Sequence, residues 1–266
     1  MSEKQAYVVP DDAESARKER IRHGLLAAIA DPSSIAALER IGVARGWRCL
    51  DVGTGGGSVA RWLAARVGPG GSVLATDVDL RFAETGGASN LELRRHDVVK
   101  EDLPTSEFDL VHARGLLQHL DRREEVIDKL IAAAKPGGFV LFEDADWLLF
   151  DQQPIPEPFA SLARLARAHN ERQAGYDGAL GRRYLPLLQG RELEAVEAAG
   201  HVFTMQGGTP SLEWFVLALD WAKPSLVAAG VFSPEFVDAA LAQARRSDFK
   251  LLSPVLISAW GRKPIC

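Results

Sequence analysis

Cysteine is nearly missing from this chain: Cys49 and Cys266 are the only two in 266 residues. One sits in an apolar run and the other is the last residue, so neither a disulfide framework nor a thiolate zinc set can be built. A reducing, cytoplasmic setting is the expectation. No HxxxH pair or acidic cluster at metal-ligand spacing occurs, and no metal site is expected. No apolar run approaches the ~20 residues of a membrane span, and the polar residues 1–20 lack a signal-peptide core. An excess of either charge sign is also small. Thirty-one Lys and Arg against 36 Asp and Glu leave a formal charge of -5, with no electrostatic case for a nucleic-acid partner. Internal repeats and low-complexity tracts are absent too. What remains is an ordinary soluble composition, 47% hydrophobic and 25% charged, long enough for one sizeable core with a helical addition.

The most informative stretch is RCLDVGTGGGSVARW, residues 48–62. Cys49, Leu50 and Val52 form a short apolar run, Gly53, Gly55, Gly56 and Gly57 follow, and apolar residues return at helical spacing. That pattern predicts a buried strand, a tight glycine turn and a helix. Such a turn lets backbone approach a ligand closely, beside the unpaired N–H groups of a helix start. The spacing is Gly-x-Gly-x-Gly; Ser58 stands where a dinucleotide fingerprint has its third glycine. On this stretch alone, a simple strand-to-helix turn stays open beside nucleotide binding.

Ahead of it, Asp11 or Asp12 caps a predicted helix, Asp31-Pro32 starts a second, and Gly42 stops that one. The first 45 residues therefore read as a helical leader that covers a site, supports a homo-oligomer or simply packs on the sheet. Downstream, strands are predicted at 72–75, 91–95, 108–112 and 139–142, with a helix at 122–134 and a turn at Pro136-Gly137-Gly138. Strands alternating with helices imply an α/β sheet with helices on both faces. Residues 146–190 read as a helical insertion, 191–199 as a helix, 201–206 as a strand, 211–246 as two helices, and 255–260 as a last strand. Residues 46–266 would then be one domain, with insertions at about 146–190 and 211–250.

Polar residues collect at the strand ends, where ligands bind in open α/β sheets. Asp77 follows the glycine turn by about 20 residues, the position for an acid that accepts from ribose hydroxyls. Asp97 ends the third strand. The ordered set CLDVGTGGGS, VLATDVD, RHDVV, FDLVHAR and KPGGFVLFED resembles the motifs of class I S-adenosylmethionine-dependent methyltransferases of the small-molecule, UbiE-like type. The segments HVFTMQGG and PVLISAWGRK are similar to the last two strands of that fold. The resemblance implies a Rossmann-like, seven-stranded sheet with an antiparallel last strand, capped by N-terminal helices and insertions. It implies S-adenosylmethionine as cofactor. Asp51, Gly53, Thr54 and Gly55 would take the methionine moiety, Asp77 the ribose, Val78 and Val98 the adenine flanks and Asp97 its amino group. Ala113 and Arg114 would line the sulfonium end, with Tyr7 as a lid. Asp79, in a place often taken by Ser, leaves open which acid holds the ribose.

A sulfonium methyl is already activated, so positioning is the larger part of such chemistry. His119 and Asp144 are the candidate bases, with Asp146 beside them; each equally suits a capping or packing role. Trp147, Phe150, His169, Tyr176 and Tyr184 would roof an apolar, metabolite-sized acceptor, alongside Phe159, Asn170 and Arg183. A methyltransferase acting on a small molecule is the expected function. The alternative is a protein that uses the bound sulfonium without methyl transfer, as a cyclase would.

Overall fold

The structure is a computed structural model in which residues 11–265 are described. Tyr7, the expected lid, lies outside them. The first element is α1 (Ala13–Ile41), a single helix. Asp12 caps it by accepting from the Glu14 and Ser15 amides, and Gly42 ends it in the left-handed region at φ 82°. The expected restart at Asp31-Pro32 does not occur, because the helix runs through Pro32. Pro32 removes one backbone donor, and the hydroxyls of Ser33 and Ser34 both turn onto the Ala30 carbonyl. Burial of Ala30, Ser34, Ala37, Leu38 and Ile41 anchors the second half on both sides of Pro32.

Next come β1 (Arg48–Val52), α2 (Ser58–Val67), β2 (Ser72–Asp77), β3 (Leu91–Arg95), β4 (Phe108–Arg114), α3 (Arg123–Ala133) and β5 (Ala134–Asp146). The Pro136-Gly137-Gly138 stretch, expected as a turn, is the extended start of β5. Then follow α4 (Leu148–Asp151), α5 (Phe159–Ala174), α6 (Leu180–Gln189), β6 (Glu194–His201), β7 (Thr204–Gln206), α7 (Pro210–Ala228), α8 (Pro234–Ala244), β8 (Lys250–Leu252) and β9 (Val255–Arg262). The main sheet has seven strands in the order β3-β2-β1-β4-β5-β9-β6. Strands β1 to β5 are parallel, and β9 runs antiparallel between β5 and β6.

Two expectations about the sixth strand are corrected. Residues 191–199 read as a helix in the sequence, but Glu194–His201 forms β6, paired with β9 from Glu194↔Arg262 to His201↔Leu256. Thr204–Gln206, expected inside the sixth strand, pairs only with β8 in a separate two-stranded ribbon.

Strand alternation sorts the core into two layers. Leu50, Val52, Val111, Ala113, Val140 and Phe142 share a cluster with residues of α3 and α6. Cys49, Leu110, Leu141 and Trp260 share another with α1 and α2. A third cluster joins α4, α5, α7, α8 and the ribbon around Phe159, Leu162, Phe215, Val216 and Leu241. Each such side chain contributes roughly 1.5–3 kcal/mol on burial. The leader helix packs onto its own chain, touching α7, α2 and β9. No helix among the described residues is long and apolar enough to cross a membrane.

Candidate functional site

The glycine turn explains its own spacing. Gly53, Gly55 and Gly57 all have positive φ, 71°, 53° and 75°, whereas Gly56 does not. Left-handed backbone at alternate positions is what Gly-x-Gly-x-Gly supplies without strain. A Cβ on Gly53 would also come within 3.1 Å of Leu116. The turn hydrogen-bonds to β2 through Gly53 and Thr54 N–H groups donating to the Thr76 carbonyl, at 2.8 and 3.0 Å.

Asp77 ends β2 against this turn. Its Oδ2 accepts from Gly55 N–H at 2.9 Å and its Oδ1 from Asp79 N–H at 3.1 Å. Burial pushes the carboxyl up, against those two bonds. Each oxygen keeps a lone pair for a further donor. Asp79 instead points to Arg81, which it meets in a bidentate pair at 2.6–3.0 Å. The two acids thus separate: one faces the loop, the other a surface arginine. Val78 is exposed between them, while Val98 is buried. Asp97 caps the turn after β3 by accepting from Val99 N–H.

Helix α1 lies directly over the loop. A Cβ on Gly55 would sit 3.5 Å from the His23 imidazole, and one on Gly56 would sit 3.3 Å from the His23 Cβ. His23 meets Glu19 at 2.9 Å, and Glu19 also takes two bonds from Arg22. Burial opposes the charge on Glu19, but bonds from His23 and Arg22 outweigh it and hold the carboxyl well below the usual range. Arg114, at the end of β4, ties the cover down through Ser34 and Asp31, both at 2.9 Å, and reaches Ser58 at the start of α2. Its neighbour Ala113 faces the core instead. Sequence reasoning placed Arg114 at the site without finding its partners on α1.

Beyond β4 and β5 a second group forms on the other side of the sheet. His119 lies in a short 3-10 turn after β4, with its ring 5.1 Å from Tyr176. Tyr176 donates to Gln118 at 3.2 Å and accepts from Trp147 at 2.7 Å. Tyr184, fully buried on α6, donates to Asp144 Oδ2. Asp144 Oδ1 is buried without a hydrogen-bond partner among the described residues. Burial pushes the Asp144 carboxyl up to about 8, more than the bonds from the Tyr184 hydroxyl and the Gln118 backbone lower it. Burial, with Arg22 and Arg123 nearby, pushes His119 down to about 4.

Several expected residues fall elsewhere, Phe159 among them in the helical layer. Phe150 is buried against Trp147 and Phe215 in the helical layer. His169 is buried on α5 and bonded to Ser225 of α7 at 2.9 Å, so it holds two helices together. Asp146 pairs with Arg182 and accepts from Leu148 N–H at the start of α4. The sequence reading missed His112 and Glu143, which are buried and hydrogen-bonded to each other. Their signal was a polar residue directly after the apolar run of each strand, Leu110-Val111 in one and Phe139 to Phe142 in the other. Among the described residues no group of three or more His, Cys, Asp or Glu could hold a metal ion.

Comparison with known proteins agrees with this geometry. The sequence model of the methyltransferase domain family matches residues 13–196, more than half of the chain. The ubiquinone/menaquinone biosynthesis C-methyltransferase UbiE of Pseudomonas savastanoi pv. phaseolicola is 30% identical over 113 residues, covering 40% of this chain and 44% of that protein. UbiE of Pseudomonas putida is 31% identical over 112 residues, 39% and 44% of the two chains. The match thus spans under half the length of these curated relatives. Among solved structures, the Haemonchus contortus phosphoethanolamine N-methyltransferase 2, bound to phosphomonomethylethanolamine and S-adenosylhomocysteine, aligns with TM-score 0.56 and 18% identity. That alignment covers 88% of this chain and 52% of the other. The [4+2]-cyclase SpnF aligns with TM-score 0.56 and 16% identity over 98% and 99% of the chains. At these identities the two structures share the fold alone. The family match, the ordered motifs and the sheet order with its antiparallel β9 establish that this chain belongs to the class I S-adenosylmethionine-dependent methyltransferases.

Proposed function

We propose that the chain transfers the methyl group of S-adenosylmethionine to a small, largely apolar metabolite bound beyond the ends of β4 and β5. The observation that carries this reading is the position of Asp144. Its buried, unpartnered Oδ1 lies at the end of β5 in a group with Tyr184, and the aromatic side chains of Trp147, Tyr176 and His119 gather next to it. A buried polar atom with no partner costs about 1–3 kcal/mol, an expense relieved when a ligand supplies a donor.

The residues present fit the cofactor. Gly53, Gly55 and Gly57, at positive φ, add no side chain of their own to the loop, and Asp77 would offer its remaining lone pairs to ribose hydroxyls. Asp51, Gly53, Thr54 and Gly55 would hold the methionine moiety, Asp77 the ribose, Val78, Asp97 and Val98 the adenine, and Arg114 the sulfonium end. When bound, the cofactor supplies an activated methyl group. The protein's own work is to orient the acceptor, exclude water and manage one proton. Orientation alone is worth roughly 7–11 kcal/mol in favourable cases.

Asp144, with a carboxyl near 8, suits the removal of a proton from an acceptor hydroxyl or amine close to neutral pH. His119, held neutral, suits an acceptor-orienting hydrogen bond. The test is incubation with methyl-labelled S-adenosylmethionine and a panel of phenols, hydroxylated aromatics and apolar amines. Label in an acceptor, lost by about 10²–10⁴-fold in Asp144→Asn, is expected. Cofactor binding with no label transferred to any member of the panel overturns the reading. The cyclase alternative has only likeness of fold behind it.

A further inference from the structure

Four neighbouring strands each bring a buried polar side chain to the face covered by α1 and α2: Asp51 on β1, His112 on β4, Glu143 on β5 and Ser258 on β9. Asp51 is directly opposite His112, and Glu143 is directly opposite Ser258. None is more than 5% exposed. They form one line. His112 Nδ1 lies 2.6 Å from Asp51 Oδ1, and its Nε2 lies 2.9 Å from Glu143 Oε2. The second oxygen of each carboxylate takes a hydroxyl, Thr54 donating to Asp51 and Ser258 to Glu143. The line therefore starts in the glycine loop and ends on the last strand.

With both carboxylates ionised, donor counting sets the state of the ring. Two carboxylates flank it, and both contacts are hydrogen bonds only when both ring nitrogens carry protons. A neutral ring would turn a lone pair on one buried carboxylate and leave it uncompensated, which is strongly unfavourable. Burial pushes the His112 pKa down, but the bonds to Asp51 and Glu143 outweigh it and raise it to about 9. Burial likewise works against the charge on Glu143, and the His112 bond prevails and keeps that carboxyl low. The charged groups facing this ring are Asp51 and Glu143. Arg114 acts on Glu143 from the same face and is itself paired with Asp31 of α1.

We infer that His112 is a positioning residue for the cofactor loop: through Asp51 and Thr54 it fixes the turn at residues 53–57 to Glu143 on β5. Part of this rests on S-adenosylmethionine being the ligand of that loop, yet the ligand-free protein already reports on it.

The experiment combines three measurements. Nitrogen-15 spectra of the ligand-free protein should show both His112 ring nitrogens protonated from pH 6 to 8, with the second proton leaving near pH 9. His112→Gln should speed amide exchange at Gly55 and Gly57 at least tenfold, with α5 unchanged. It should also weaken calorimetric binding of S-adenosylmethionine and S-adenosylhomocysteine about tenfold. Thr54→Val cuts the line at its loop end, so the double variant should bind no more weakly than the worse single variant. Should His112→Gln fail to fold, Thr54→Val and Ser258→Ala form the cycle at the two ends of the line, and the same non-additivity is expected. A neutral His112 ring at pH 7, additive effects in either cycle, or native loop exchange in a folded His112→Gln protein overturns the inference. Wild-type protein that binds neither cofactor form overturns the cofactor reading instead, and the ring and exchange data then decide on His112 alone.

Discussion

The Tyr184 hydroxyl donates to the Asp144 carboxyl, closing the contact between α6 and the end of β5. Burial raises that carboxyl to about 8 from an ordinary value of 3.8. The sign of the linkage follows directly. The folded state holds this proton more tightly, so its stabilisation is complete below pH 4, falls as pH rises, and is gone above about pH 8. Urea denaturation between pH 5 and 9 should show Asp144→Asn gaining on the wild type, by up to about 1.4 kcal/mol per pH unit, until the gap levels off near pH 8. A difference that stays constant across this range contradicts the shift.

Asp77 and Asp79 are two residues apart, yet only Asp77 faces the glycine loop. Asp77→Asn should weaken S-adenosylmethionine binding by about tenfold to a hundredfold, the worth of a hydrogen bond to a charged group. Asp79→Asn breaks an arginine pair near the surface and should change affinity less than threefold, since such pairs contribute about 0–1 kcal/mol. Titration calorimetry on both variants checks this, and equal losses would assign the ribose contact to neither acid in particular.

Glycine has opposite meanings at two places. Gly53→Ala forces a side chain into left-handed backbone with Leu116 at 3.1 Å, and a loss of about 1–3 kcal/mol is expected. Gly24 lies inside α1 with nothing within 4 Å of an added Cβ. Gly24→Ala should therefore stabilise by about 0.5–1 kcal/mol. Denaturation midpoints separate the two signs.

His119 is held neutral, with burial first and Arg22 and Arg123 adding to it. Its ring should show no titration between pH 5.5 and 8 in a proton–nitrogen correlation spectrum. Arg123→Gln should leave it neutral, because burial is the leading cause. Protonation near pH 6.5 in the wild type would remove His119 from the acceptor side of the site.

The shape of the glycine turn and the strand ends beside it were legible in sequence because their signals are local. Glycine needs at 53, 55 and 57, and acids at the ends of β2 and β3, are set within a few residues of each other. Residues 194–201 were not legible. EAVEAAGH has good helix formers and no alternation, and it becomes a strand only by pairing with β9, some 60 residues away. Pro32 misled in the opposite direction, since buried packing on both sides overrides its local preference. His112 looked like one polar residue in a strand, and its role depends on Asp51 and Glu143, which the sheet brings to it from 61 and 31 residues away. Tyr184 bonds to Asp144 and Tyr176 to Gln118, while the helical core claimed Phe150 and His169; single-sequence patterns do not distinguish the two kinds of aromatic position.

The leader helix also makes the glycine turn depend on distant sequence. Helix α1 covers the turn through His23, and part of its own seat is α7 and β9, far along the chain from both. A packing defect in α7 or β9 therefore reaches Gly55 and Gly56 without touching them, because the helix that lies against them loses its support.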